Sequence, residues 1–418
     1  MLILLQRLSS PAKYVFHTLV AYWKVVAVLA AINIVEIYYH IKDYKITRPS
    51  ANLDPPFYTG CQTPILNTTA RANATMMMLA RNSDAGGAVA SVKSIQEQFN
   101  DNFHYPWVFL NDEHFSGEFM KEVTSAVGGN AEVSFHSISK DMWGFPEWID
   151  QERAQKAMHG MESRKIYNAG KESYHHMCRF QSGFFYDHPA LTSYKWYWRV
   201  EPDIQLTCAI TYDPFVSMDL NNKVYGYTIA LWELGKTVPS LFRKLSDYKL
   251  RKHIPTTTIW TAMVDPSWAP LPIRRFILPW LRNRDARGNL WNMCHFWSNF
   301  EIADMDFFRS REYRELFQLL DQDGGFYYER WGDAPVHSLA AAMLLKAEQL
   351  HHFSDVGYVH SSLQYCAYES KRDAFERGRL VPGSKEERGE MLGCNCKCDE
   401  GIEIIGSTCF NRIRSTVM

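Results

Sequence analysis

An α/β fold built around a mostly parallel sheet is what this sequence predicts, on two observations. From about Thr75 onward, short apolar runs of strand character alternate with segments of helical spacing. That alternation marks βαβ units, whose ligands gather at the carboxyl ends of the strands. The chain is also long enough, at 418 residues, to bury a large core.

Thr75 to Ala80 (TMMMLA) reads as the first strand, Ala88 to Phe99 as the first helix and Trp107 to Leu110 as the second strand. Glu113 to Val127 follows as a helix and Glu132 to His136 as a strand. Gln151 to Lys165 and Glu172 to Tyr186 have helical spacing, while Tyr194 to Val200 (YKWYWRV) and Lys223 to Ala230 (KVYGYTIA) have strand character. Ala340 to Gln349 is a helix opened by Asp333 and Pro335, which suit an N-cap and an early helical position. Asp355 to His360 is a terminal strand. Between Arg251 and Arg287 the pattern breaks, with Pro255, Pro266, Pro270, Pro272 and Pro279 mixed among Trp260, Trp268 and Trp280. This stretch reads as an insertion or long loop.

The flanks point to a membrane and an oxidising compartment. Tyr14 to Val35 is an apolar stretch of about bilayer length, interrupted by Lys24 and closed by Glu36, with no small-residue cleavage site after it. The expected organisation is a cytoplasmic tail over 1–13, a signal-anchor helix over 14–38, a Pro-rich luminal stem over 39–70 and a catalytic domain over 71–418, with 251–287 inserted. Sequons at Asn67 and Asn73 fit a luminal location. Nine cysteines, four of them crowded as Cys394, Cys396, Cys398 and Cys409, favour disulfides. Zinc is the rival reading, and C-x-C-x-C lacks the usual C-x₂-C spacing. With 45 basic and 46 acidic residues there is no field to hold nucleic acid, which is set aside as a partner. No nucleophile elbow and no P-loop occurs.

Four constellations can carry chemistry. Glu201-Pro202-Asp203 ends the aromatic strand and leaves two carboxylates at the sheet's carboxyl edge, where hard oxygens can hold Mg²⁺ or Mn²⁺ against a diphosphate; a plain polar turn fits the same letters. Asn299 to Asp306 (NFEIADMD) offers acids beside an aromatic run, suited either to an oxocarbenium-like centre or to a helix start. Phe326 to His337 (FYYERWGDAPVH) is either a sugar platform or a core turn entering a helix. His360 can complete a metal shell, although a lone histidine is more often structural.

In this order, RANATMMMLARNSD, YWRVEPDIQ, HFWSNFEIADMDFF, ERWGDAPVHS and GYVH resemble the fungal GDP-mannose-dependent α-1,2-mannosyltransferases of glycosyltransferase family 15, from about Arg71 to His360. The resemblance implies a GT-A-like fold, a single-pass type II Golgi membrane protein and Mn²⁺-dependent transfer of mannose. It also implies that the configuration at the anomeric carbon is retained and that the acceptor is a mannose-terminated N- or O-glycan of cell-wall mannoproteins. It implies that Arg81, Asn82 and Asp84 hold the nucleotide, that Glu201 and Asp203 lie at the metal and diphosphate, and that His360 ligates the metal. It further implies that Glu301 is the acid nearest the anomeric carbon, that Tyr174 lies by the reacting centre, and that Trp331, Gly332 and Asp333 border the acceptor. Mannosylphosphate transfer and a silent mannan-binding Golgi scaffold stay open as alternatives, as does membership of a Golgi enzyme complex.

Overall fold

The computed structural model of the protein describes residues 22–42, 44, 54–64, 71–370, 388–399, 401–404, 409 and 412–413. The expected cytoplasmic tail, the first part of the expected span and the Asn67 sequon lie outside them.

The central sheet has seven strands: β1 (Ala74–Leu79), β2 (Trp107–Asn111), β3 (Val133–Ser137), β4 (Trp196–Val200), β5 (Tyr225–Tyr227), β6 (Phe300–Asp304) and β7 (Leu350–His352). They lie in the order β7-β5-β6-β4-β1-β2-β3. Strands β3, β2, β1 and β4 are parallel, as are β5 and β7, and only β6 runs against its neighbours. The predicted α/β fold is therefore present. Strands β2 and β4 are buried along their whole length. This is why they read as unbroken apolar and aromatic runs instead of alternating ones.

Local chemistry sets the helices between them. Helix Gly117–Val127 starts where the Ser116 hydroxyl accepts from the Phe119 N–H at 3.1 Å, and it stops at Gly128, whose φ of 77° suits glycine. The helix expected to run to Gln349 is Asp333–Leu344, starting on Asp333 itself and buried on nearly every side. The expected strand over 223–230 divides into β5 and a second short strand, Ala230–Trp232, which pairs with Cys294–Phe296 in another sheet.

A second sheet of four strands, containing Ile204–Leu206, Tyr358–His360, Leu363–Tyr365 and Glu403–Ile404, sits beyond the carboxyl end of β4. Disulfides Cys208–Cys396, Cys366–Cys398 and Cys61–Cys394 fasten it. Three of the four crowded C-terminal cysteines are thus covalent staples, and Cys409 is a buried free thiol beside Cys294. The 251–287 stretch is structured, with short helices at Thr258–Met263 and Leu271–Phe276, and Trp260 is buried against Phe242.

The N-terminal helix is Trp23–Lys42, long and apolar enough to cross a membrane and not buried in the domain. Packed structure begins before the expected boundary at 71, within the stem. Asp54 is buried and accepts from Lys223 Nζ at 2.8 Å, from His351 Nδ1 at 2.6 Å and from the His352 N–H at 2.7 Å. Phe57 stacks on His351 at 3.7 Å.

Burial pushes the Asp54 carboxyl up, but the charges of His351 and Lys223 outweigh it and bring it down to about 2. A depressed carboxyl contributes stability above its unfolded value, near 4, that is lost as pH falls through its folded value. Here that amounts to about 2 kcal/mol. Asp54→Asn is expected to lower Tm at pH 7 and to remove most of the stability loss between about pH 4 and 2, as measured by thermal melts across that window.

Candidate active site

The acids of the EPD turn fall on the carboxyl edge of the sheet. After β4 ends at Val200, Asp203 takes a left-handed φ of 63° and the chain reverses into Ile204–Leu206. Helix Ala85–Ile95 clamps this turn. The Ser91 hydroxyl donates to the Glu201 carbonyl at 2.9 Å and accepts from the Ile204 N–H at 2.9 Å, and the Asp203 N–H donates to the Gly87 carbonyl at 3.1 Å. A Cβ on Gly87 would stand 2.6 Å from the Asp203 carboxylate, so any larger residue there would push that side chain aside. Neither Gly87 nor Ser91 was singled out from the sequence, although the Gly86-Gly87 pair at a helix start was visible there.

The turn after β1 lies on the same edge. Arg81 pairs with Asp84 at 2.8 Å. The Asn82 amide donates to the His114 carbonyl at 3.0 Å and its oxygen accepts from the Ser116 N–H at 2.8 Å, tying the ends of β1 and β2 together. The Arg81 guanidinium is largely exposed.

Beneath the EPD turn lies a buried guanidinium. Arg199, 4% exposed, donates from Nε to Glu201 at 3.1 Å, from Nη1 to the Asp333 carboxylate and to Ser298 at 3.3 Å, and the Ser298 hydroxyl donates to Asp333 at 2.7 Å. Burial works against the charge on Arg199, and Asp333 and Glu201 outweigh it, so its pKa is raised. Burial likewise pushes Asp333 up, but Arg199 and His337 hold it below the usual carboxylate value.

Glu301 stands directly opposite Arg199 in the β6–β4 register. It is 0% exposed, with the Tyr197 and Tyr225 hydroxyls donating to its two oxygens and His337 Nδ1 at 3.2 and 3.0 Å from them. Burial pushes its carboxyl up, with His337 pulling it partly back. A carboxylate has roughly four acceptor positions, and these three donors fill at most three of them. Glu301 is thus enclosed by Tyr197, Tyr225 and His337 on the strand next to Arg199. Trp331 is 0% exposed, with its indole N–H donating to Glu329 at 2.6 Å. Gly332 and Asp333 are buried at the start of helix Asp333–Leu344.

Tyr174 is half-buried at the start of helix Glu172–Gly183, and its hydroxyl accepts from Arg330 Nη1 at 2.9 Å. Arg330 Nη2 reaches Glu233 at 3.2 Å. Burial and the neighbouring Cys178 raise the Tyr174 phenol well above its ordinary value. Arg330 lay inside the ERWGD motif without being singled out, and Glu233 gave no signal in the sequence.

His360 lies opposite Ile204 in the second sheet, with its ring 5.4 Å from that of Trp297 and its buried Nδ1 without a hydrogen-bond partner. An unbonded buried imidazole nitrogen beside a carboxylate turn fits a divalent cation. Among the described residues no three His, Cys, Asp or Glu side chains converge on one point.

A mixed, mostly parallel sheet with carboxylates gathered at its carboxyl edge defines a GT-A-like glycosyltransferase. The mannosyltransferase Ktr4p of Saccharomyces cerevisiae, solved in complex with GDP, is 33% identical and superposes with a TM-score of 0.64 over 81% of this chain and 82% of that one. Core-mannan synthase A of Aspergillus fumigatus, solved in a Mn/GDP form, is 32% identical with a TM-score of 0.66 over 89% of both chains. The chain belongs to the family described as glycolipid 2-alpha-mannosyltransferase, which it matches over residues 35–396, and it is a mannosyltransferase. An O-glycoside alpha-1,2-mannosyltransferase homolog of Schizosaccharomyces pombe is 41% identical over 409 residues, covering 92% of this chain and 87% of the relative.

Asp333→Ala is expected to destabilise the fold by about 3–5 kcal/mol, because it leaves Arg199 buried and only partly compensated. Equilibrium unfolding in urea checks this, and a change below about 1 kcal/mol would show that water reaches the guanidinium.

Proposed function

We propose that the protein is a Mn²⁺-dependent, retaining α-1,2-mannosyltransferase that moves mannose from GDP-mannose to a mannose-terminated N- or O-glycan of mannoproteins, as a type II protein of the Golgi membrane. The observation that carries this reading is the EPD turn clamped at the sheet's carboxyl edge next to the unbonded His360 nitrogen. Relatives about one-third identical over more than four-fifths of the chain hold GDP, and in one case manganese, in their solved structures.

In this reading Arg81, Asn82 and Asp84 receive the nucleotide at the end of β1. Glu201 and His360 hold the divalent cation and Asp203 flanks it. When bound, that cation neutralises charge on the leaving diphosphate. Arg199 fixes the Glu201 carboxylate from below, so the ligand needs no rearrangement when the donor arrives. Tyr174, oriented by Arg330 and Glu233, presents its protonated phenol to the cleft. Gly332 and Asp333 shape the acceptor end from underneath.

Retention can proceed through a glycosyl-enzyme or through departure and attack on the same face. In either route Glu301 is the acid nearest the anomeric carbon, held in place by Tyr197, Tyr225 and His337.

The decisive assay is transfer of labelled mannose from GDP-mannose to methyl-α-mannoside, with Mn²⁺ and with chelator. Metal-dependent transfer that Glu201→Gln reduces at least a hundredfold, about 2.7 kcal/mol, is the expected outcome. A folded protein that binds GDP and transfers nothing would favour the scaffold, and a phosphate-bearing product would favour mannosylphosphate transfer. For Glu301→Gln, Tm and kcat are expected to fall together, since the new amide N–H₂ faces hydrogen-bond donors. A variant as stable as the parent that loses transfer alone would show that Glu301 serves the chemistry itself.

A further inference from the structure

Within the 251–287 stretch, the segment from Trp268 to Leu281 turns its apolar side chains outward. Trp280 is 87% exposed, Phe276 75%, Trp268 72%, Ile277 57%, Leu281 53% and Leu271 40%. Isolated exposed apolar residues need no explanation, but two tryptophans and a phenylalanine among aliphatics on one short proline-bent segment do. The charge in the segment is one-sided: between Asp265 and Asp285 there is no acid, and Arg274, Arg275, Arg282 and Arg284 supply four cations.

This segment is joined to the N-terminal helix. The Leu271 N–H donates to the Asn33 side chain at 3.3 Å, Arg274 forms an ion pair with Glu36, and His40 Nε2 lies 2.7 Å from the Asn289 side-chain oxygen. Asn33, Glu36 and His40 lie on the last two to three turns of Trp23–Lys42, about 10 Å of its length at 1.5 Å per residue. There polar Asn33, Glu36 and His40 interrupt an otherwise apolar helix, whose Val25, Val26, Val28, Leu29, Ile32, Ile34 and Val35 are exposed before Glu36 and whose Tyr38 and Tyr39 are exposed after it. Arg274, 2% exposed, grips this end of the helix, while Trp268, Arg275, Phe276, Trp280 and Arg282 of the same segment are left exposed.

We propose that residues 268–282 form an interfacial platform that seats the catalytic domain on the phospholipid headgroup layer, beside the point where Trp23–Lys42 leaves the bilayer. Trp280, Trp268 and Phe276 enter the headgroup region, where amphipathic rings are most stable, and Arg275 and Arg282 meet lipid phosphates. The Arg274–Glu36 pair and the Leu271–Asn33 bond fix the angle between anchor and domain, so the cleft is held at a set height above the membrane. The inference rests on Trp23–Lys42 crossing the membrane.

The test uses the full chain reconstituted in phosphatidylcholine vesicles, with the environment-sensitive fluorophore NBD attached through single substitutions Phe276→Cys, Trp280→Cys, Val28→Cys and Tyr167→Cys. Unsubstituted protein gives the background from its own cysteines. Tyr167, 70% exposed and outside the segment, is the solvent control, and Val28 reports the span. Labels at 276 and 280 are expected to be quenched by nitroxide placed high on the lipid acyl chain, at least threefold more than at 167, while the label at 28 is quenched best by nitroxide placed deep. Labels at 276 and 280 that match 167, with 28 deeply quenched, overturn the platform and leave the anchor intact. A label at 28 that lipid nitroxide does not quench overturns the anchor itself. Labels at 276 and 280 shielded from water without lipid quenching would mean that protein, a second copy or a partner, covers the face, and this too overturns the proposal. Transfer to soluble methyl-α-mannoside should be unchanged, within twofold, in Trp280→Ser.

Discussion

A buried arginine that must be neutralised governs the architecture of the cleft. Moving a guanidinium out of water costs several kcal/mol unless its donors are met by carboxylates. Arg199 meets this demand with Glu201, two residues along its own strand, and with Asp333 at the start of a helix over a hundred residues later. The requirement fixes three things together: the direction of the Glu201 side chain, the position of helix Asp333–Leu344, and the placement of Ser298 just before β6. A lysine there could not serve two carboxylates and a hydroxyl in one plane.

A second ion pair lies next to it and has the same origin. Arg199 and Glu301 are directly opposed across antiparallel β4 and β6, so their side chains emerge on one face of the sheet. Asp333 and His337 are four residues apart on one helix and share a face. Laying that helix over that pair of strands brings Arg199 to Asp333 and Glu301 to His337 at once. The interior beneath the site is therefore a hydrogen-bonded square, with the Tyr197 and Tyr225 hydroxyls also donating to Glu301. Such a network is stable only when every member is satisfied, which makes it rigid. That rigidity keeps the EPD turn, clamped from its other side by Gly87 and Ser91, in one conformation.

Covalent and stem contacts extend this stiffness outward. Cys208–Cys396 and Cys366–Cys398 pin the sheet that carries His360, and Cys61–Cys394 with Asp54 draws the stem onto the domain. The stem is accordingly a partly docked strap and not a free spacer over its described residues.

The sequence by itself determined the alternation of strands and helices, the carboxylates at the end of β4, the oxidising setting and, through five ordered motifs, the family. Each of these is written in local pattern, in which residue types follow one another at fixed spacing. Strand β6 escaped because it is buried on both faces and carries Glu301 and Asp304, so it has neither alternation nor β-forming composition and its acids read as a helix start. What only the tertiary structure decided is how each of the motif's acids is held. Glu201 and Asp203 lie in a turn clamped by helix Ala85–Ile95, with Glu201 bonded to Arg199, whereas Glu301 lies in a strand under helix Asp333–Leu344. The partners that seal it, Tyr197, Tyr225 and His337, come from three other segments, and no spacing along the chain encodes that meeting.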